Sequence, residues 1–474
     1  MSNYTITNKS LDKNKVFILQ KGEIHKRFDP FFYVPELLEL EKRIVSKNPN
    51  TLRNFVKSIS SGATPSRDEE DKYYSTSENG IPFLRVQNIT QYGLDLSDVK
   101  FINKETHNSL LKRSQVEEDD LLVTITGRIA SSAVAPKGFI GNINQHSVVI
   151  KTHNRETSEL LACYLNTTIG QKLANRLATG GTRLALDYPA LLSIPIIVNN
   201  KILDITKKVI LQKEKNEASS ENLLNNIETY LLNELGIILP EKLENTLRNR
   251  MFTTSISELS GSRFDPNYHI NYFHKVFQSI ENGKYEYSKM NQYASFQAGY
   301  AFKSSDYVEQ SECSLITIKN IKKNEIDLNN VTFLPNDFYE LFKDFQINKN
   351  DLLIAMTGAT IGKVGIYNHI NKALLNQRNG IIKPNNLNSI YLLSILNLKI
   401  YQEIILRNSN GGAQPNISET DIMKISIPVP PLEKQIEIAD HISAIRKQAQ
   451  DLKDQTKVLL EKTNKEIEDI LLNT

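Results

Sequence analysis

The chain has only two cysteines and no tryptophan. Cys163 and Cys313 lie far apart and form no Cys-x-x-Cys pattern, which argues against a disulfide scaffold and against a structural zinc site. Scarce cysteine without a pairing pattern is typical of proteins from a reducing compartment. Residues 1–10 are polar and lack the apolar stretch of a secretory signal. We therefore expect a cytoplasmic protein.

Long apolar runs are also missing. The longest uninterrupted ones are about as short as Ile194–Val198, whereas a membrane-spanning helix needs roughly 20 apolar residues. The net charge is only +3, too mild to indicate nucleic-acid binding by itself, so any DNA contact must depend on local positive charge. With 40% hydrophobic and 23% charged residues over 474 positions, the chain should form about two to four globular domains.

Sequence motifs of catalysis are absent as well. The segment 358–364 resembles a nucleotide-binding loop but is one residue short, and Val364 stands where that loop needs a magnesium-binding serine or threonine; we expect a tight turn after a strand. There is no Gly-x-Gly-x-x-Gly loop, no Gly-x-Ser-x-Gly elbow and no metal-ligand spacing among the eight histidines. Together these absences favour a binding protein over an enzyme, with no catalytic or metal-binding residue in this chain.

What the sequence does contain is a long internal repeat. Seven short blocks recur in the same order, each shifted by 231 to 236 positions. The paired blocks begin at Arg27 and Arg263, Leu84 and Ile316, Val99 and Val331, Asp120 and Asp351, Asn144 and Asn376, Gly180 and Gly411, and Ser193 and Ser426. The same order at near-constant spacing indicates a tandem duplication. A long repeat used twice predicts two similar domains related by a pseudo-twofold axis.

Each copy is predicted to be a mixed α/β unit followed by a long helix. Buried strands are predicted over 120–126 and 351–357, further strands over 148–151 and 380–383, and helices over 160–177 and 390–407. The tails 201–235 and 433–473 carry apolar residues at alternating spacings of four and three, the pattern of a coiled coil. The seam of the first tail is polar in its middle. We expect the two tails to pair antiparallel within the chain; an oligomerising coiled coil is the alternative.

The C-terminal copy carries a recognisable run of residues. Gly411-Gly412-Ala413-Gln414-Pro415-Asn416-Ile417-Ser418 is followed by Ile425-Ser426-Ile427-Pro428-Val429-Pro430-Pro431-Leu432-Glu433-Lys434-Gln435 and then by the second helical tail. This order resembles the specificity subunits of Type I restriction–modification systems, and with the duplication the resemblance covers nearly the whole chain. The first copy departs from it, because Ile196–Asn200 lacks the Pro-Pro-Leu-x-x-Gln stretch and its loop reads Gly180-Gly181-Thr182-Arg183-Leu184.

The resemblance implies an α+β architecture. Two tandem-repeat target-recognition domains are separated by two long antiparallel coiled-coil helices in a pseudo-twofold arrangement. The expected boundaries are 1–200 for the first recognition domain, 201–245 for the first spacer helix, 246–430 for the second recognition domain and 431–474 for the second spacer helix.

The resemblance also implies the function and the partners. Each domain would read one half of a split double-stranded DNA target, with the helices setting a fixed gap and docking two methyltransferase subunits. Those subunits would use S-adenosylmethionine to methylate adenine, and restriction/translocase subunits would use ATP and Mg, so no cofactor is expected in this chain. The alternatives are a coiled-coil scaffold without DNA reading and a standalone nuclease, which would need a cluster of acidic metal ligands.

Candidate DNA-contacting residues follow from the chemistry of base and phosphate recognition. Arg grips guanine, Asn or Gln grips adenine, and Lys, Arg or hydroxyl groups contact phosphates. Such side chains recur at matching places in the two copies. The first copy contributes Arg85, Gln87, Asn88, Thr126, Arg128, Gln145, His146, Thr182 and Arg183. The second contributes Lys319, Asn320, Thr357, Thr360, Lys363, Gln377, Arg378, Gln414 and Asn416.

Several of these assignments have a structural alternative. Asn88 and Asn320 are also typical turn caps. The Asn-Gln pairs 144–145 and 376–377 are also compatible with buried polar residues that bond the backbone. The Arg-Phe-Asp-Pro blocks at 27–30 and 263–266 favour a turn with an internal Arg–Asp pair over a DNA contact. Aromatics such as Tyr73, Tyr74 and Tyr300 could approach DNA, but placement in the core or on the surface is the default expectation.

Overall fold

The computed structural model describes residues 12–24, 27–66, 69–242, 244, 246–256, 263–409 and 415–473. The chain divides into two compact units, one formed by residues 1–216 with 454–474 and the other by residues 217–453. Each unit contains one copy of the repeat. Each also contains the first part of its own helical tail and the last part of the other tail. The four expected domain boundaries remain a prediction.

The first unit is built on two sheets. Its strands are β1 (Ser58–Ser61), β2 (Tyr74–Ser75), β3 (Ile81–Leu84), β4 (Ile89–Thr90), β5 (Gly93–Leu94), β6 (Lys100–Ile102), β7 (Gln115–Val116), β8 (Leu121–Thr124), β9 (Ser132–Val134), β10 (Gly141–Ile143) and β11 (Ser147–Lys151). One sheet has the order β1-β11-β8-β9 and the other β2-β6-β3-β10-β7, while β4 and β5 form a hairpin. All pairs are antiparallel except β3 with β10.

Helices cover this unit and supply its tail. They are α1 (Pro35–Lys47), α2 (Glu70–Tyr73), α3 (Lys104–Asn108), α4 (Arg155–Leu165), α5 (Thr168–Leu177), α6 (Tyr188–Leu192) and α7 (Asn200–Leu235), the last continuing into the second unit. Strand β8 is buried along its whole length because both of its faces are covered. Its side chains pack with α4 and α5 into the main core of this unit.

The second unit repeats this plan. Its strands are β12 (Tyr287–Lys289), β13 (Ala294–Ala298), β14 (Cys313–Ile316), β15 (Asn324–Glu325), β16 (Thr332–Leu334), β17 (Leu352–Ala355), β18 (Val364–Ile366), β19 (Lys372–Leu375), β20 (Asn379–Pro384) and β21 (Ser426–Pro428). The sheet β13-β20-β17-β18-β15 matches β1-β11-β8-β9 with one strand added, and β16-β14-β19 matches β6-β3-β10. The pair β14–β19 is parallel, as β3–β10 is. The duplication seen in the sequence is thus a duplication of the fold.

The helices of this unit are α8 (Leu247–Arg250), α9 (Asn271–Glu281), α10 (Phe338–Leu341), α11 (Ser389–Leu396), α12 (Lys399–Asn408), α13 (Glu419–Met423) and α14 (Leu432–Asn473), the last continuing into the first unit. Among the described residues, no single helix is long and apolar enough to cross a membrane. Helices α11 and α12 reach that length and apolar character only when they are taken together, and they are bent by 70° relative to each other. Most side chains of α11 are buried in the protein core.

The long helices α7 and α14 pair antiparallel, as predicted. In the first unit, Asn216 Nδ2 donates to Thr456 Oγ1 at 3.0 Å. In the second unit, Ser220 Oγ donates to the carbonyl of Ala449 at 3.0 Å and Lys434 pairs with Glu234 at 2.7 Å. Apolar residues of both helices join the domain cores, and the polar Asn216, Ser220 and Thr456 are buried between the helices as well. The prediction of two mixed α/β domains with antiparallel helices is confirmed within each unit.

Candidate nucleic-acid interface

Two parallel strands end side by side in each unit, and predicted site residues follow both. In the first unit, the backbone N–H of Asn144, just after β10, donates to the carbonyl of Leu84 at the end of β3 at 3.0 Å. In the second unit, Asn376 after β19 makes the same 3.0 Å bond to Ile316 at the end of β14. Parallel pairing therefore brings the Arg85–Asn88 segment next to Gln145 and His146, and the Lys319–Asn320 segment next to Gln377 and Arg378.

The end of β8 adds a third segment and the Gly-Gly loop a fourth. The N–H of Ile125 donates to the carbonyl of His146 at 2.9 Å, and the N–H of Leu186 donates to the carbonyl of Ile125 at 2.8 Å. Thr126 forms a bridge with Ala185, on the returning arm of the loop that carries Thr182 and Arg183. Four segments that are distant in sequence thus converge in the first unit.

The second unit has the same convergence. Met356 N–H donates to the Arg378 carbonyl at 2.9 Å, Ile417 N–H donates to the Met356 carbonyl at 3.0 Å, and Thr357 forms a bridge with Asn416. These residues line an open depression of about 450 Å³. We call the two groups of converging segments the first and second reading edge. Gln414 lies outside the described residues.

Glycines permit this crossing of segments. Gly127 and Gly358 follow the two strand ends at φ of 81° and 72°, a left-handed conformation that glycine adopts without steric cost. A Cβ on Gly62 would lie 2.1 Å from the Ile143 carbonyl oxygen, and one on Gly299 would lie 2.1 Å from that of Asn376. The sequence analysis did not single out Gly62 and Gly299, although both precede the reading edges at matching places in the repeat. Only the fold reveals how closely backbones pass there.

The reading edges carry positive charge that other side chains leave uncompensated. Arg128, Arg183, Lys319 and Arg378 are exposed and Lys363 is half-buried. In the part of the chain that the structure describes, none of these five forms an ion pair with a carboxylate. Partial burial, and to a lesser degree the nearby Arg183, lower the pKa of His146. Its imidazole is therefore neutral at pH 7, with one nitrogen free to donate and the other to accept.

The remaining polar side chains of the reading edges differ in their exposure and in their hydrogen bonds to other residues of the chain. Gln145 and Gln377 are exposed, so the alternative of buried polar residues does not describe them. The Thr64 hydroxyl donates to Gln145 Oε1, which makes Thr64 a neighbour that the sequence analysis missed. Thr182 and Asn416 are exposed, and Thr126, Thr357 and Thr360 are half-buried.

Arg85 and Gln87 face a carboxylate. Arg85 Nη2 lies 3.1 Å from Asp98 Oδ2, and Gln87 Nε2 donates to the same oxygen at 2.6 Å. The Asp98 side chain is 78% exposed, so solvent weakens this pair. Contact between Arg85 and a DNA base or phosphate would require it to exchange Asp98 for that partner.

The turn-capping alternative describes Asn88 and Asn320. Asn88 Oδ1 accepts from Arg85 N–H at 2.9 Å and its Nδ2 donates to the Asp95 carbonyl at 2.8 Å. Asn320 repeats this with Thr317 at 3.0 Å and Asp327 at 2.9 Å. Both side chains are almost fully buried. Their donors and acceptors are engaged internally, which favours turn capping over DNA contact for both residues.

The Arg-Phe-Asp-Pro blocks lie at the base of the Gly-Gly loops. Arg27 pairs with Asp29 at 2.9 Å and donates to the carbonyls of Leu177 and Ala178, just before Gly180. Arg263 pairs with Asp265 at 2.7 Å and makes the corresponding contacts at 408 and 409. The internal Arg–Asp pair expected from the sequence is present in both copies. Among the described residues, no group of His, Cys, Asp or Glu side chains is arranged to hold a metal ion.

Comparison with known proteins adds family information. Residues 273–462 match the family model described as Type I restriction modification DNA specificity domain. The Type I restriction enzyme MjaVIII specificity subunit of Methanocaldococcus jannaschii is 28% identical over 209 residues, which are 42% of this chain and 49% of that protein. The Type I restriction enzyme EcoBI specificity subunit of Escherichia coli is 25% identical over 164 residues, 33% of each chain. This chain thus spans about half the length of the first relative and a third of the second.

A solved structure is also similar. The Type-I restriction-modification system S subunit from M. genitalium shares 13% identity, with 89% of this chain and 94% of that chain covered and a TM-score of 0.42.

Proposed function

We propose that this chain is a specificity protein of a Type I restriction–modification system, on the basis of the domain that matches residues 273–462, and that it reads a bipartite DNA target. In this proposal each unit reads one half-site, and the unread gap between the half-sites has a fixed length. The chain directs catalytic subunits to DNA and performs no chemistry itself. The observation that carries the proposal is the recurrence of one reading edge, built from the same four kinds of segment, in both units.

The charges of the reading edges support DNA as the ligand. Arg128, Arg183, Lys319, Lys363 and Arg378 have no internal carboxylate partner within the described residues. Cations of this kind neutralise phosphates and release counterions from DNA. The chain therefore needs no large net charge to bind DNA, because the positive charge is concentrated where the ligand would lie.

The polar side chains divide by chemistry. Gln145, Gln377, Gln414 and Asn416 carry amides of the kind that pair with adenine, and His146 offers one donor and one acceptor. Thr126, Thr182, Thr357 and Thr360 carry hydroxyls suited to phosphates. Arg85 and Gln87 are proposed to act after they release Asp98. Asn88 and Asn320 are left out, because they cap turns.

We assign the catalytic work to partner subunits. Two methyltransferase subunits with S-adenosylmethionine would modify adenine in the two half-sites, and restriction/translocase subunits with ATP and Mg would cleave. Helices α7 and α14 provide the docking surface in this proposal. These helices expose the apolar side chains of Leu211 (65%) and Val458 (64%). Their exposure supports this assignment, because an apolar stripe on a helix is ordinarily covered by a partner.

Long-read mapping of DNA methylation tests the proposal. The chain is expressed with the methyltransferase of its system in a host that lacks other methylation. The expected result is one methylated motif with two short half-sites around a gap of fixed length. The control is the methyltransferase without this chain, which should leave the motif unmodified. A palindromic motif, or a stable complex without any methylation, would contradict the proposal; the second result would favour a scaffold.

A further inference from the structure

Tyr300 lies directly on the second reading edge. It follows Gly299, the glycine that passes closest to the Asn376 carbonyl. Its N–H donates to the carbonyl of Leu375 at 3.0 Å, and its own carbonyl accepts from Gln377 N–H at 2.8 Å. Its backbone is therefore bonded on both sides to the segment that carries Gln377 and Arg378.

Three phenylalanines hold the Tyr300 ring. The ring centroid lies 5.0 Å from that of Phe302, 4.8 Å from Phe342 and 5.1 Å from Phe345, all at tilted or edge-to-face angles. Aromatic pairs at such distances and angles are favourable. The tyrosine nevertheless remains 40% exposed, and within the described residues its hydroxyl makes no hydrogen bond. A rigid aromatic ring is thus presented at the edge with one side free.

The position of the first unit that matches Tyr300 carries no aromatic side chain. Gly62 occupies the place of Gly299, with its N–H bonded to the Ser147 carbonyl at 3.4 Å where Gly299 bonds Asn379 at 3.0 Å. The next residue in the first unit is Ala63. The aromatic group is therefore a difference between two otherwise matching edges, as expected for residues that distinguish two half-sites.

We propose that Tyr300 is a specificity-determining residue that makes apolar contact with the C5-methyl group of a thymine in the second half-site. Thymine alone among the four bases presents a methyl group in the major groove, and apolar side chains recognise it there. A ring fixed by three neighbours loses little entropy on contact. This inference rests on the proposed function, because it assumes that the second unit reads DNA.

The test uses the chain purified in complex with its methyltransferase. Once the methylated motif of the natural protein is mapped, duplexes carry uracil in place of each thymine of the second half-site, one at a time. Uracil lacks only the methyl group. At one position binding should weaken about fourfold, the equivalent of one buried methyl group. The Tyr300→Ala complex should bind thymine and uracil duplexes equally, while Tyr300→Phe should retain the preference.

A matched control is Tyr307→Ala. Tyr307 is 38% exposed and lies next to Val308, which pairs with Phe333 of β16 rather than with the reading edge. The Tyr307→Ala substitution should leave the preference for thymine over uracil unchanged. The inference is overturned if no thymine position is sensitive in the natural complex, if the second half-site has no A·T pair, or if Tyr300→Ala keeps the preference. Failure of the proposed function is distinct, since the natural complex would then have no bipartite motif.

Discussion

At the scale of single residues, the second reading edge includes a strained backbone position. Arg378 adopts a φ of 69°, a conformation that costs energy for any residue with a Cβ. A non-glycine residue held in this conformation on an exposed loop suggests that its side chain is needed there. His146 occupies the matching place in the first unit, with a pKa lowered by partial burial. If Arg378 contacts DNA as proposed, stability and binding are in conflict at this position.

Replacing Arg378 with glycine separates the two effects. We expect Arg378→Gly to raise the free energy of unfolding by roughly 0.5–1 kcal/mol, because glycine adopts a positive φ without strain. DNA binding should weaken, and the slope of log K against log salt should become shallower by about one unit if the guanidinium contacts a phosphate. Urea denaturation and DNA binding at several salt concentrations measure both quantities.

Asn350→Gly is the matched control for that change. Asn350 has a φ of 74° and precedes β17, away from the reading edge. The Asn350→Gly protein should be more stable than the natural protein and bind DNA with the same affinity. An Arg378→Gly protein that binds DNA with the natural affinity and salt slope would remove Arg378 from the proposed contacts.

A buried aspartate, Asp120 or Asp351, lies directly before the central strand of each unit. Burial raises the pKa of Asp351 above its usual value, against the opposing bond from Asn348 N–H at 2.8 Å. The folded state then binds more protons than the unfolded state between pH 3.8 and the raised pKa. Stability therefore falls as the pH rises through that window, and the full penalty is present above it.

Asp351→Asn should remove this penalty while keeping an acceptor for the Asn348 N–H. We expect a higher urea midpoint than the natural protein at pH 7 and no advantage below the raised pKa, where the natural carboxyl is protonated. Asp351→Ala also removes the charge but loses the capping bond, so it should be about 1 kcal/mol less stable than Asp351→Asn at pH 4 and at pH 7. In the first unit, Asp120 also contacts Lys151 at 3.0 Å, so Asp120→Asn should gain less. Equal gains at pH 4 and pH 7 would contradict this account.

At the scale of elements, the helix pair buries polar residues as well as apolar ones. Ile202 and Ile467 belong to the core of the first unit, and Leu235 and Ile438 to that of the second. Between them the buried residues include polar ones, with Asn216 bonded to Thr456 and Ser220 bonded to the backbone of α14. Buried polar pairs of this kind cost stability compared with apolar packing. They also disfavour other helix pairings, because any other register leaves them unsatisfied.

A double-mutant cycle on Asn216 and Thr456 tests this reading of the seam. Thr456→Val alone leaves Asn216 Nδ2 without its acceptor and should cost about 1–3 kcal/mol. The double variant Asn216→Leu/Thr456→Val replaces the pair with apolar contact and should be as stable as the natural protein or more so. Thermal unfolding followed by circular dichroism gives the coupling. Additive effects of the two changes would show that the 3.0 Å bond contributes nothing.

At the scale of the whole molecule, each unit contains a complete reading edge of its own. All four segments of the first edge belong to the first unit, and those of the second edge belong to the second. Residues without shared contacts usually act additively. The two half-sites should therefore be read independently, and damage to one edge should leave recognition by the other unchanged.

Paired substitutions in each unit test this independence. Gln145→Ala/His146→Ala should relax the sequence requirement of the first half-site, and Gln377→Ala/Asn416→Ala that of the second. In each case the other half of the methylated motif should stay unchanged. Each contact is worth roughly 1–3 kcal/mol of discrimination if it reaches a base. Methylation mapping of the two variants side by side is the measurement. Loss of both half-sites in either variant would mean that the edges are coupled.

The sequence alone determined the repeat, the two α/β domains, the paired helices and the family resemblance. These features depend on the spacing and periodicity of residues along the chain, which can be read directly from the sequence. The same holds for the Arg–Asp pair at Arg27, whose partner lies two residues away. Part of the reading edges could also be predicted from the sequence, because Gln145, Arg183 and Arg378 belong to repeated blocks.

Only the tertiary structure decided which polar residues are free to meet a ligand. Asn88 and Gln87 are neighbours of the same chemical kind, yet one is buried as a turn cap and the other is exposed beside Asp98. The sequence named Tyr300 only as one of several aromatics of undecided placement, because its exposure depends on phenylalanines up to 45 positions away. Burial and hydrogen bonding arise from contacts between segments distant in sequence, and one-dimensional spacing does not encode which side of a loop those contacts leave open.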